Sequence, residues 1–123
     1  MRKLRPKTDR RLLGTWRSDR RRTVKEWRFL PRTPQRIRKR LAAIFGHLAL
    51  RYTRRRLYSD YRGDRQTHEY EVLASDAESV AIIYRDLSER EWKILHIHFE
   101  GRWYWISLGP QREFFRRVTK PAR

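Results

Sequence analysis

The chain has no cysteine and a single methionine in 123 residues. No disulfide framework is open to it, and no thiolate can act as nucleophile or metal ligand. Long apolar runs are missing too. The longest, residues 41–45, resumes after Gly46-His47 as Leu48-Ala49-Leu50, which is too short to span a bilayer. The N-terminus Met1-Arg2-Lys3-Leu4-Arg5-Pro6-Lys7-Thr8-Asp9 is basic with no apolar segment behind it, so it does not read as a secretory signal, and the cytoplasm is the expected location. Acidic residues are scarce: 14 stand against 32 lysines and arginines, a formal net charge of +18. Residues 1–65 hold 23 basic residues against Asp9, Asp19, Glu26, Asp60 and Asp64, while residues 66–123 hold nine of each sign. In one small domain this split predicts a strongly positive surface, and with it an anionic partner or a membrane-facing patch. Catalytic motifs are absent as well. There is no Gly-x-Ser-x-Gly elbow, Walker loop, Gly-x-Gly-x-x-Gly or His-Glu-x-x-His. The pairs Glu69/Glu71 and Glu89/Glu91 sit in polar context and read as salt-bridge partners, so neither enzymatic activity nor a cofactor is expected.

What is present suits a β-rich domain. Five Trp, six Tyr and five Phe supply a core despite the charge, so wholesale disorder is not expected. Residues 1–11 read as a basic disordered arm, 12–119 as one domain and 120–123 as a tail. Leu12-Leu13-Gly14-Thr15-Trp16 begins the order, and residues 23–29 read as a strand after a bend at 19–22. Residues 14–29 could be one bent strand or a hairpin. Thr33 as N-cap and Pro34 at the first helical position open a helix over 34–45. Ile37, Leu41, Ile44 and Phe45 form its apolar stripe, Arg36, Arg38, Lys39 and Arg40 lie mostly off it, and Gly46 stops it. From His47 onward the period becomes two. Strands are predicted at 47–53, 56–62, 67–74, 79–85, 91–99, 102–108 and 113–119, joined by short turns such as Gly63-Asp64 and Gly109-Pro110. With the first strand this is an antiparallel up-and-down meander of eight strands, extendable to nine or ten, and closing it into a barrel removes its edges.

Three features resemble the lipocalin and fatty-acid-binding (calycin-like) families. Leu13-Gly14-Thr15-Trp16 is similar to their Gly-x-Trp opening. Phe114-Phe115-Arg116-Arg117-Val118 puts arginine where those families carry one on the last strand, across from that tryptophan. The helix lies between the first strand and the rest, as lid helices do. Segment 12–119 also looks like bacterial lipocalin-like proteins of unknown role, with Gly-Thr-Trp early and His96-Ile97-His98-Phe99-Glu100 late. The resemblance implies a barrel around a small apolar or amphipathic anionic ligand. The chain departs from fatty-acid-binding proteins in having room for one lid helix rather than two, and in ending Arg117-Val118-Thr119 where they carry Arg-x-Tyr.

Adjacent Arg116 and Arg117 must point to opposite faces of their strand, so one faces the barrel interior or its closed end. There it either plugs the barrel by stacking on Trp16, or holds the anionic head of a ligand with help from Tyr104. His96 and His98 share a strand face, but two ligands are too few for a zinc site unless His47, His68 or Glu69 joins them, and no metal is expected. Which row of that strand faces inward, Lys93-Leu95-Ile97-Phe99 or Trp92-Ile94-His96-His98, is open. Trp103 and Trp105 share a face and read as packing rather than as a base-stacking platform. Arg20, Arg21 and Arg22, the helix residues Arg36, Arg38, Lys39 and Arg40, and the hairpin-tip residues Arg54, Arg55 and Arg56 are the expected source of the positive field. The first function expected is non-enzymatic binding of a small apolar or amphipathic anionic ligand. The alternative is a polyanion binder in which residues 2–56 grip nucleic acid or an anionic membrane and the barrel is scaffold. A third is a packed scaffold for an acidic protein partner.

Overall fold

Alternation of apolar and polar residues with period two builds eight strands in the computed structural model, which describes residues 8–118. They are β1 (Gly14–Ser18), β2 (Leu48–Tyr52), β3 (Arg56–Tyr61), β4 (Asp64–Ser75), β5 (Ser79–Asp86), β6 (Lys93–Glu100), β7 (Trp103–Leu108) and β8 (Gln111–Arg117). Each pairs antiparallel with its sequence neighbour, and β1 pairs with β8 to close the barrel. The hairpin between β3 and β4 turns on Arg62 and Gly63, whose φ angles of 54° and 90° give the primed geometry that matches strand twist. β4 bends where its register with β5 shifts between Val72 and Ala74.

Two helices, α1 (Arg20–Glu26) and α2 (Gln35–Ala42), connect β1 to β2 where one was expected. The expected strand over 23–29 is therefore replaced, and its physical cause lies in three contacts. The Asp19 carboxylate accepts from the Arg22 N–H at 3.1 Å and caps α1. Arg22 then pairs with Glu26 one turn later. Thr23 is fully buried, and its hydroxyl accepts the Phe114 N–H at 2.9 Å, a bond only the helical placement provides. α2 starts one residue later than expected: Pro34 is its N-cap, and the Thr33 hydroxyl donates to the Leu30 carbonyl at 2.6 Å instead.

Order begins earlier than the expected boundary at residue 12. Thr8 hydrogen-bonds the Tyr70 hydroxyl at 2.8 Å, Asp9 and Arg11 pair across a turn, and Leu12 is completely buried. The rest of the expected arm, residue 119 and the tail at 120–123 lie outside the described residues.

Inward-facing side chains fill one half of the barrel: Trp16, Tyr52, Tyr70, Val72, Val80, Ile82, Ile97 and Tyr104 pack around Leu12. The Tyr52 and Tyr104 hydroxyls bond each other at 2.9 Å, satisfying both in the dry interior. Burial raises both phenol pKa values. On β6 the inward row is Leu95, Ile97 and Phe99, which settles the question left open by the sequence.

Candidate ligand-binding site

The two ends of the barrel are unlike. At the first, residues 8–13 fold across the opening. The Trp16 indole N–H donates to the Leu12 carbonyl at 2.9 Å. The Arg117 guanidinium lies 4.4 Å over the indole and donates to the Leu13 and Arg11 carbonyls at 2.6 Å each. Gly14 has φ of 114°, and a Cβ there would stand 2.9 Å from Arg117 Nη1, so the close approach needs glycine. Tyr104 packs beneath, with its ring 4.6 Å from Trp16. Trp16, Tyr104 and Arg117 thus come together, and they do so at the closed end. Arg116 points outward from β8, between Trp103 and Arg17 on the neighbouring strands.

The opposite end holds a cavity of about 320 Å³, lined by inward residues of seven strands, β2 to β8. One wall is apolar: Leu48, Leu50, Leu95, Ile106 and Phe115. The other, from β3 to β6, carries Ser59, Gln66, His68, Asp86, Glu89 and Lys93. None of Trp16, Tyr104, Arg116 or Arg117 lines it. At about 30 Å³ per heavy atom in a condensed phase, the space fits a ligand of roughly ten heavy atoms.

His68 is the most enclosed polar residue of this wall, 9% exposed. Its Nε2 lies 3.1 Å from the Ser59 hydroxyl, and its buried Nδ1 has no hydrogen-bond partner. Burial lowers its pKa, with Asp86 and Glu89 acting the other way and Lys93 adding to the lowering. A hydroxyl beside an imidazole is the first half of a nucleophile–base pair. With Nδ1 unpartnered among the described residues, nothing orients the ring as a triad requires. Beside the cavity, Glu113 is buried with its carboxylate accepting from the Ser18 hydroxyl at 2.8 Å, and burial raises its pKa. Sequence reading singled out His68 only as a possible metal ligand. The signal that it faces inward was its period-two alignment with Tyr70 and Val72.

Comparison with protein-family models, curated proteins and solved structures finds no match to this chain. The site therefore has to be read from its own chemistry.

The basic clusters do not converge. Arg20 donates to the Phe45 carbonyl at 2.9 Å and sits 3.1 Å from His47, which Arg62 also approaches at 2.8 Å. Arg21 is exposed, while Arg22 pairs with Glu26 and Glu100 and covers the Trp103 and Phe114 rings. On α2, Arg38 covers Phe29 at 4.7 Å, whereas Arg36, Lys39 and Arg40 reach solvent. Arg20, His47 and Arg62 thus meet at the open end, whereas Arg22 reaches Glu100 and Trp103 beside the β6–β7 turn. Arg54, Arg55 and Arg56 lie in the β2–β3 hairpin at the closed end.

The histidines do not gather at one place either, apart from the neighbouring His96 and His98 rings. His96 and His98 face outward, and His98 stacks on Trp105 at 3.9 Å. His68 is inside and His47 is at the lid, so no three potential metal ligands meet among the described residues. No described helix is long and apolar enough to cross a membrane.

Proposed function

We propose that this chain is a calycin-like binding module that takes a small apolar or amphipathic molecule into the open half of its barrel. One observation carries the reading. The inward side chains of seven strands leave a space unfilled at one end of a barrel whose other end is tightly packed and tied shut. An apolar wall facing a few polar groups is the usual make-up of a small-molecule pocket, and the volume lies at the low end of the range of about 300–1,000 Å³. Lys93 stands in the lining with the carboxylates Asp86 and Glu89, so the polar wall suits a hydroxyl or other neutral head at least as well as an anionic one, while the arginines around α1 and α2 favour an anion's approach.

Isothermal titration with octanoate and 1-octanol tests this. Saturable one-to-one binding is expected, lost by at least about tenfold in Ile106→Trp, which fills the cavity without changing charge. No saturable binding up to millimolar ligand, or undiminished binding by Ile106→Trp, overturns it.

A second reading is supported by α2, which has no buried residue. Leu30, Ile37 and Ile44 are 79%, 41% and 53% exposed among Arg36, Lys39 and Arg40. An apolar ridge rimmed by cations suits an anionic membrane surface. Co-sedimentation with phosphatidylserine vesicles but not with phosphatidylcholine vesicles, abolished by Ile37→Ser/Ile44→Ser, is the expected result. Equal binding by that variant rules it out.

A further inference from the structure

The closed end carries a second cleft on its outer side, separate from the interior cavity. Its volume is about 670 Å³, and it lies where the β6–β7 turn and the end of β8 meet the turn before β1. Four of its eight lining residues are arginines, Arg11, Arg102, Arg116 and Arg117, and three are aromatic, Trp16, Phe99 and Trp103. No acidic residue among the described ones lines it.

The four cations differ in how they are held. Arg11 is gripped by Asp9, donates to the Ala77 carbonyl at 3.0 Å and lies 4.5 Å over Phe99. Arg117 is fixed over Trp16 by its two carbonyls. Neither Arg102 nor Arg116 makes a side-chain hydrogen bond, ion pair or ring contact with any other described residue. Gathering four guanidinium groups costs electrostatic energy, and among the described residues two of them have no anion to offset it. The fork of an unpaired guanidinium matches phosphate oxygens bidentately.

Trp103 stands directly opposite Arg116 in the β7–β8 register, so both present the same outward face. Its ring is locked from behind, with the Arg22 guanidinium 4.6 Å over it and its indole N–H donating to Asp19 at 2.9 Å. Gly101 puts no side chain beside the indole; a Cβ there would touch Trp103 Cε3 at 4.0 Å. A fixed ring next to a free arginine pair is the arrangement on which a nucleobase stacks while its phosphate is held. At about 30 Å³ per heavy atom the cleft fits roughly twenty-two atoms, close to one nucleotide.

We propose that this cleft is a nucleoside-phosphate site, in which Arg102 and Arg116 hold the phosphate and Trp103 stacks the base. Arg11 and Arg117 supply fixed positive charge behind them. The ligand can be a free nucleotide or one unit of a single strand, since both present the same base and phosphate. The proposal is independent of what the interior cavity holds.

The test is titration of the full chain in 50 mM salt with AMP, adenosine, inorganic phosphate and an eight-residue oligothymidylate. AMP or the oligonucleotide is expected to bind at least about tenfold more tightly than phosphate or adenosine alone, because both contacts are then made. Arg102→Gln/Arg116→Gln is expected to weaken that binding by about tenfold or more. Arg32→Gln/Arg90→Gln, the same charge change at the open end, is expected to weaken it by less than about threefold. Tight binding of AMP points to a free nucleotide, and binding of the oligonucleotide alone points to a strand; both support the site. Equal loss in the two double variants, phosphate binding as tightly as AMP, or no saturable binding of either nucleotide probe overturns it.

Discussion

Arg117→Met separates a structural arginine from a ligand-holding one. In the structure its guanidinium donates to two backbone carbonyls at 2.6 Å and lies 4.4 Å over Trp16. Hydrogen bonds from charged groups contribute about 1.5–3 kcal/mol each when shielded. These two are open to solvent, so water replaces much of each and about 1 kcal/mol remains for the pair. Stacking on the indole adds about 0.5–1 kcal/mol. Methionine keeps an apolar cover on Trp16, so the loss is about 2 kcal/mol. For a domain of this size that corresponds to roughly 8 °C in Tm. Thermal unfolding followed by near-UV circular dichroism reads this directly. Octanoate affinity should stay within about twofold, because Arg117 does not line the interior cavity. A Tm within 2 °C of the parent, full rescue by Arg117→Lys, or selective loss of octanoate binding would refute the assignment.

Three further outcomes follow from buried polar groups. Burial raises the Glu113 pKa, so the folded state holds its proton more tightly than the unfolded chain, and stability falls as pH rises above the ordinary carboxylate range. Glu113→Gln should therefore raise Tm at pH 7 relative to the parent, with the difference vanishing near pH 4; a lower Tm at pH 7 contradicts this. Burial lowers the His68 pKa, so stability should drain away as pH falls below about 6.5, and His68→Asn should flatten that slope in urea titrations between pH 7 and pH 5. An unchanged slope argues against an enclosed neutral ring. Thr23→Val removes the acceptor of a buried N–H with almost no change in volume, at a cost of about 1–3 kcal/mol in urea unfolding. A loss below about 0.5 kcal/mol would show that the bond is replaced.

The barrel was legible because its signals are local. Turn residues such as Gly63 and Gly109 punctuate the strands, and alternation sets which side chains face in. Helix α1 was not, because its decisive contacts are distant: Thr23 and Asp19 bond to Phe114, and Arg22 covers Trp103, partners 81 to 95 positions away. The β-favouring residues Thr23, Val24, Trp27 and Phe29 imitate a strand, and only Asp19 with the Arg22–Glu26 spacing hinted otherwise. An arginine of the last strand across from Trp16 was suggested by family resemblance, but not which of Arg116 and Arg117 it is, nor that Tyr104 packs beneath. That this cluster closes one end while the space opens at the other depends on side-chain volumes on seven strands at once, and no single segment encodes that. The outer cleft combines Arg11 with Arg102 and Arg116 from the charge-balanced half, so a search for arginine runs passes over it.

The short β1–β8 pairing has a kinetic consequence. Six of the other junctions in the barrel are hairpins between consecutive strands, and β1–β2 spans only the helical connection, but β1 meets β8 across nearly the whole chain. Closing a loop of about 100 residues costs roughly 4 kcal/mol of chain entropy. Only three registered residue pairs, Trp16 with Arg117, Arg17 with Arg116 and Ser18 with Phe115, meet that cost, helped by the Val118–Thr15 and Asp19–Phe114 backbone bonds and the Arg117 fork. The ladder from β2 to β8 can zip up from local hairpins, leaving this clasp to fasten last and to unfasten first. Amide exchange at Arg17 and Val118 should then outpace exchange at Ile82 and Ile97, although Arg17 belongs to the same continuous sheet as Ile82 and Ile97 and Val118 is bonded to its edge.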